Sequence, residues 1–220
     1  MVRGRINTFA STAWYAQGNY RPPDVDHLVM LIVPRVEAGQ VQIANLTSAY
    51  IAQYATALKG SKVVAVPVNR ARVTGGRGVP ADEVYRRPAG DVYGALAEGA
   101  SFRDAVDIGA RRLADLVAMD MQMAQVRQAQ DSYEGSGIQY FRRVLSGSPN
   151  TCELCQDASR ERYSVADLMP IHQNCGCTTE QIESSEMSGR VIDSKVEVRD
   201  HGEYGPVLTV KGQDFTGPQD

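Results

Sequence analysis

Cysteine is missing from the first 151 and the last 43 of the 220 residues. Tryptophan occurs once and histidine three times. A chain with its cysteines confined to one stretch does not build the distributed disulfide framework of a small secreted fold. Long apolar runs are missing too. The longest, LVMLIVP at 28–34, falls far short of the ~20 residues that span a bilayer. The first 20 residues carry arginines but no continuous apolar core, so no secretory leader is expected and the cytosol is the expected compartment. The net charge of −3 and a pI near 5.7 argue against a protein that coats nucleic acid, though a local basic patch remains compatible. TGGRG at 74–78 lacks the Lys-Ser/Thr ending and the strand–helix context of a phosphate loop. No Ser/His/Asp set is supported.

What is present divides into two textures. Residues 1–134 read as a helical body. Residues 135–185 read as a small β-rich Cys/His module, and 186–220 as a short β-hairpin and tail. The expected fold class is therefore α+β. A first helix is expected over 7–16. A second starts near Asp24, as its cap, after the prolines of NYRPPD. Pro34 is expected to kink or interrupt it, and Gly60 to stop it. The connector 61–80 could open with a short strand, and its glycine-rich end is expected to be mobile. Helix at 81–98 should break around Pro88–Gly90. The clearest pattern is 101–131, with Ser101 and Asp104 as a capping box and an apolar stripe through Val106, Ala110, Leu113, Val117 and Met121. Met119, Met121 and Met123 fit either adaptable core filling or a partner surface. Strands are expected at 138–145 and, around a turn, within 195–210.

All four cysteines and one histidine fall in TCELCQDASRERYSVADLMPIHQNCGC, residues 151–177. The pattern is C-x2-C, sixteen residues, then H-x2-C-x-C: Cys152, Cys155, His172, Cys175 and Cys177. A C-x2-C turn presents two thiolates to one ion, and a second pair closes a tetrahedron. Thiolates with imidazole suit zinc, not calcium or magnesium. Spacing favours Cys152, Cys155, His172 and Cys175 as ligands, with Cys177 able to replace Cys175. Ligands this soft at finger-like spacing point to a closed structural site, not a catalytic one. Glu153, Asp157 and Glu161 are read as solvated charges.

The run YFRRVLSGSPNTCELCQDASRERYSVADLMPIHQNCGCT resembles the C-terminal signature of the phage MuF-like minor head, or head-morphogenesis, proteins. In that family a strand leads into a C-x2-C pair, an aromatic segment follows, and a pattern like H-P-N-C-R-C closes the signature. Here Tyr163 stands at the aromatic position, while Gln173 and Gly176 depart from the usual proline and arginine. The resemblance covers about a fifth of the chain. It implies a non-enzymatic minor capsid protein inside the phage head near the portal, made in the host cytoplasm, with a structural Zn2+. The portal protein is the implied partner, with the capsid or scaffold possible and weak contact with packaged DNA. No membrane is implied. With 43 residues after Cys177, no added enzyme domain is expected. An HNH-like zinc-containing nuclease is the alternative, since HQNC is faintly similar. It needs another histidine: His27 falls in an apolar helix, where packing or capping is expected, and His201 in a turn. A zinc-finger nucleic-acid regulator is the second alternative. Its basic residues, Arg142, Arg143, Arg160 and Arg162 with Arg111 and Arg112, read more simply as solvated faces.

Overall fold

The computed structural model describes residues 1–147, 151, 153–168 and 175–182, and the backbone of 196–200 and 206–210. It is mostly helical, with a small three-stranded antiparallel sheet. Five helices come first: α1 (Val2–Tyr15), α2 (Pro22–Lys59), α3 (Arg70–Thr74), α4 (Ala81–Ala97) and α5 (Phe102–Gly135). Then follow β1 (Tyr140–Val144), α6 (Glu153–Ala158), β2 (Arg162–Ser164), a 3-10 turn (Val165–Asp167) and β3 (Thr178–Ile182). Strands β4 (Val196–Asp200) and β5 (Pro206–Val210) pair antiparallel as a separate two-stranded sheet. Among the described residues no helix is long and apolar enough to cross a membrane.

Two compact units emerge. The first comprises 1–43 and 70–124, the second 44–69 and 125–220. Residues 44–69 and 125–134, expected within the helical body, thus cluster with the chain that follows it. They are helical or extended connector, so the change is one of grouping.

In the first unit the sole tryptophan organises the packing. Trp14 is fully buried, donates from Nε1 to the Val106 carbonyl at 3.0 Å, and lies 4.5 Å from the Tyr20 ring. Gly109 lets α5 come close here. A Cβ at that position would sit 2.8 Å from the Pro88 carbonyl oxygen and from Val92, and would press on Trp14. The apolar stripe of α5 is buried as expected, and so are Met119, Met121 and Met123. The methionines are core filling.

Three sequence expectations differ here. Neither Pro34 nor Pro88 breaks its helix. An internal proline costs about 3 kcal/mol, but Val29, Ile32 and Val36 around Pro34, and Val84, Tyr85 and Val92 around Pro88, are all buried. At about 1.5–3 kcal/mol per buried apolar side chain, burial outweighs the lost bond. Asp24 is not the cap of α2 but lies in its first turn, where a carboxylate still favours the helix dipole. The glycine-rich end of the connector is pinned rather than loose. Arg77 Nε donates to Asp120 Oδ1 at 2.6 Å, and the Tyr85 hydroxyl donates to Asp120 Oδ2 at 2.7 Å. Both charged side chains are about nine-tenths buried.

In the second unit α2 ends at Gly60, whose φ of +64° suits glycine. No strand follows. Val66 instead has its carbonyl oxygen satisfied by side chains, Ser48 Oγ at 2.6 Å and Gln128 Nε2 at 3.3 Å, and it packs on Gly135. Strand β1 is central in the order β2-β1-β3. Phe141 pairs with Tyr163 on one side and Gln181 on the other.

Candidate metal centre

The core of the second unit supplies the setting. Ile51, Ala129, Tyr133, Phe141, Tyr163 and Leu168 form one apolar cluster that includes Cys155 and Cys175, with Cys177 packed against it. Cys155 sits on the buried face of α6 with Ala158. Tyr163 fastens that short helix: its hydroxyl donates to the Ala158 carbonyl at 2.9 Å, and its ring stacks 5.3 Å from Phe141. Cys175 and Cys177 immediately precede β3. In chain running into a strand, positions i and i+2 face the same side, which accounts for both sulfurs turning toward Cys155. Gly176 between them faces Ser146, and a Cβ there would meet Ser146 Oγ at 3.4 Å.

The three Sγ atoms all lie within 4.8 Å of one another. Cys155 and Cys175 are 3.5 Å apart, and no disulfide joins any two of the three. A zinc–sulfur bond of ~2.3 Å in a tetrahedron sets sulfurs about 3.8 Å apart. The observed spacing fits three corners of such a site, and these cysteines are close enough to hold a metal ion. Among the described residues no carboxylate joins them. Glu153 is exposed, and Asp157 pairs with Arg160 at 3.2 Å.

Burial pushes the Cys177 thiol above its ordinary range, and Cys175 adds to the shift. A hydrogen bond with Cys155 and a backbone hydrogen bond from Ser146 oppose it. The counter-charge comes from Arg143, which is buried. Its guanidinium lies 5.4 Å from the Tyr163 ring centre and 5.7 Å from that of Phe141. Burial lowers its pKa, while Tyr163, Cys175, Cys155 and Cys177 hold it up.

Of the five residues singled out from spacing, the structure brings Cys155, Cys175 and Cys177 together. Cys152 and His172 lie outside the described residues, as does His201. Cys175 and Cys177 enter the cluster jointly, not as alternatives. Arg143 was expected on a solvated face and is instead buried beside the thiols. The signal was present in YFRRV, since Arg143 shares the strand face of Phe141 at the two-residue period. His27 is exposed on α2, not packed.

Compared with family models, curated proteins and solved structures, the chain matches none of them.

Proposed function

We propose that the chain is a non-enzymatic minor head protein of a tailed phage, of the MuF-like kind, whose Cys/His module is closed around one structural zinc ion. The observation that carries this reading is the convergence of Cys155, Cys175 and Cys177 beside β1, within the segment that resembles the family signature. Cys152 or His172 would supply the fourth ligand. With His172, three thiolates and one imidazole leave a zinc site with one net negative charge, and Arg143 carries the matching positive charge. The ion would supply cross-linking in place of a larger core, as in other small metal-held modules. The other roles follow from the resemblance. The protein would reside inside the head near the portal, with the portal as partner, and with capsid, scaffold and weakly held DNA as further contacts.

Two measurements test the two parts. Elemental analysis of the purified chain should return one zinc per chain, and Cys155→Ser should lose it; zinc-free wild type rejects the metal reading. Mass spectrometry of DNA-free proheads and of detached portal rings should find the chain in low copy number with the portal. Absence from both rejects the head-protein reading and brings the nuclease forward, to be tested by metal-dependent DNA nicking.

A further inference from the structure

Among the described residues, the second half of α2 carries an uncovered stripe. Leu46, Tyr50 and Leu58 are 57%, 61% and 57% exposed, and Tyr54, partly exposed, stacks on Tyr50 with ring centres 6.2 Å apart. The four residues recur at four-residue steps, so they form one ridge about 18 Å long. Surface helices normally turn charge toward water, yet from Ala44 to Leu58 this helix contains no Asp, Glu, Lys, Arg or His. Its other exposed positions in that span are Asn45, Ala49, Gln53 and Ala57. The helix's own side chains on this face thus carry no charge, which is the composition of an interface centre; charge borders the ridge at Tyr54, whose hydroxyl donates to Glu180 at 2.6 Å.

The order of the ridge identifies the occupant. Leu-Tyr-Tyr-Leu at equal spacing reads the same in both directions. Two antiparallel copies related by a twofold axis level with residue 52 set Leu46 against Leu58 and Tyr50 against Tyr54, each contact occurring twice. Such self-complementarity is what an isologous dimer requires. A receiving hollow lies at one end of the ridge. Tyr54 and Leu58 line an open cleft of about 640 Å³, which Ile138 and Ile182 share with the charged side chains of Lys59, Arg142 and Glu180. In the antiparallel register Leu46 of the second copy arrives beside Leu58 at its mouth.

We propose that this ridge of α2 is a homodimer interface, pairing antiparallel with a second copy of the chain. The inference is independent of the zinc site and of the head-protein reading. The ridge offers about 400 Å² per copy, or about 800 Å² in all, below the ~1,200 Å² of the smallest stable interfaces. The pair is accordingly weak, with a dissociation constant of about 10 µM or higher.

Sedimentation of the full chain from about 1 to 500 µM covers that range. The expected result is a mass rising from 24.0 kDa toward twice that value. Tyr50→Lys should remain monomeric throughout with an unchanged circular dichroism spectrum, since the position is exposed. A photo-crosslinking benzoylphenylalanine at position 46, in a mixture of light and heavy isotope chains, should join that position to the 54–58 region of the other copy. Wild type that stays monomeric at all concentrations overturns the proposal and leaves the ridge to another protein. A Tyr50→Lys dimer as tight as wild type also overturns it, as does a crosslink from 46 to 46.

Discussion

Removing the carboxylate of Asp120 takes the counter-ion from a charge where water has little access. Its oxygens are both used, one by Arg77 and one by the Tyr85 hydroxyl. Tyr85 is almost wholly buried, and burial first, then Asp120, raises its pKa well above the ordinary value; it is a neutral donor at any working pH. In Asp120→Ala the guanidinium loses its carboxylate partner and retains its bond to the Leu116 carbonyl, at 3.2 Å. Breaking a buried pair from one side costs about 3–5 kcal/mol, and an orphaned hydroxyl about 1–3 kcal/mol. One feature reduces the sum. A void of about 10 Å³ borders Arg77, Tyr85 and Asp120, room for about one water, which partly replaces the lost acceptor. The expected loss is about 3–4 kcal/mol. Trp14, the sole tryptophan, lies in the same unit, so its emission reports unfolding there. With a urea slope of about 1–3 kcal/mol/M, the midpoint falls by roughly 1–4 M. The double variant Arg77→Met/Asp120→Leu removes both charges and should cost less than Asp120→Ala alone. A loss below about 1 kcal/mol, or a double variant equal to the sum of its singles, would refute the buried-pair argument.

Three further outcomes are expected. Gly109→Ala should destabilise by about 1–2 kcal/mol, overpacking against Pro88 and Val92 exceeding the helix-propensity gain of ~1 kcal/mol; Trp14 emission in urea reads it, and a stabilised variant contradicts the close approach. Arg143→Met should fold yet bind zinc about tenfold more weakly, measured by chelator competition, because the buried counter-charge is gone; an unchanged affinity removes Arg143 from the site. Glu180 has its pKa held below 4.5 by the Tyr54 hydroxyl and then by Arg142. The stability this confers is present above the ordinary value and lost as pH falls through the folded one. Glu180→Gln should therefore flatten the acid limb of a circular-dichroism stability curve below 4.5, and an unaltered limb contradicts the linkage.

Much of this arrangement can be read from the chain, and the failures have a common cause. Ser101 and Asp104 form their box through local geometry: the Asp104 N–H donates to Ser101 Oγ at 3.2 Å, and that hydroxyl donates back at 2.6 Å. Gly60 stops α2, and YFRRV becomes a strand, because each depends on residues a few positions away. Pro34 and Pro88 mislead because the energy that overrides them comes from burial against chain far off in sequence. Arg77 in its glycine-rich segment misleads likewise, its partner lying on α5. At the candidate metal centre the residue types are legible from composition, and Cys155 and Cys175 come together as the spacing favoured, while Cys177 joins Cys175 instead of replacing it. Arg143 was misassigned from charge alone, although the strand period places it inside.

The central position of β1 bears on how the chain emerges during synthesis. Both strands that flank it come later, and the register with β3 runs from Val144–Thr178 to Tyr140–Ile182. About 40 residues must therefore be added after β1 before its second edge is covered, some 2–8 s at ordinary elongation rates. Throughout that interval at least one edge of β1 stands unpaired on the nascent chain, and until β2 is made both do. The module is thus most vulnerable to misassociation between its first strand and its last cysteine, and slowed translation across 145–182 should lower soluble yield more than the same delay within α5.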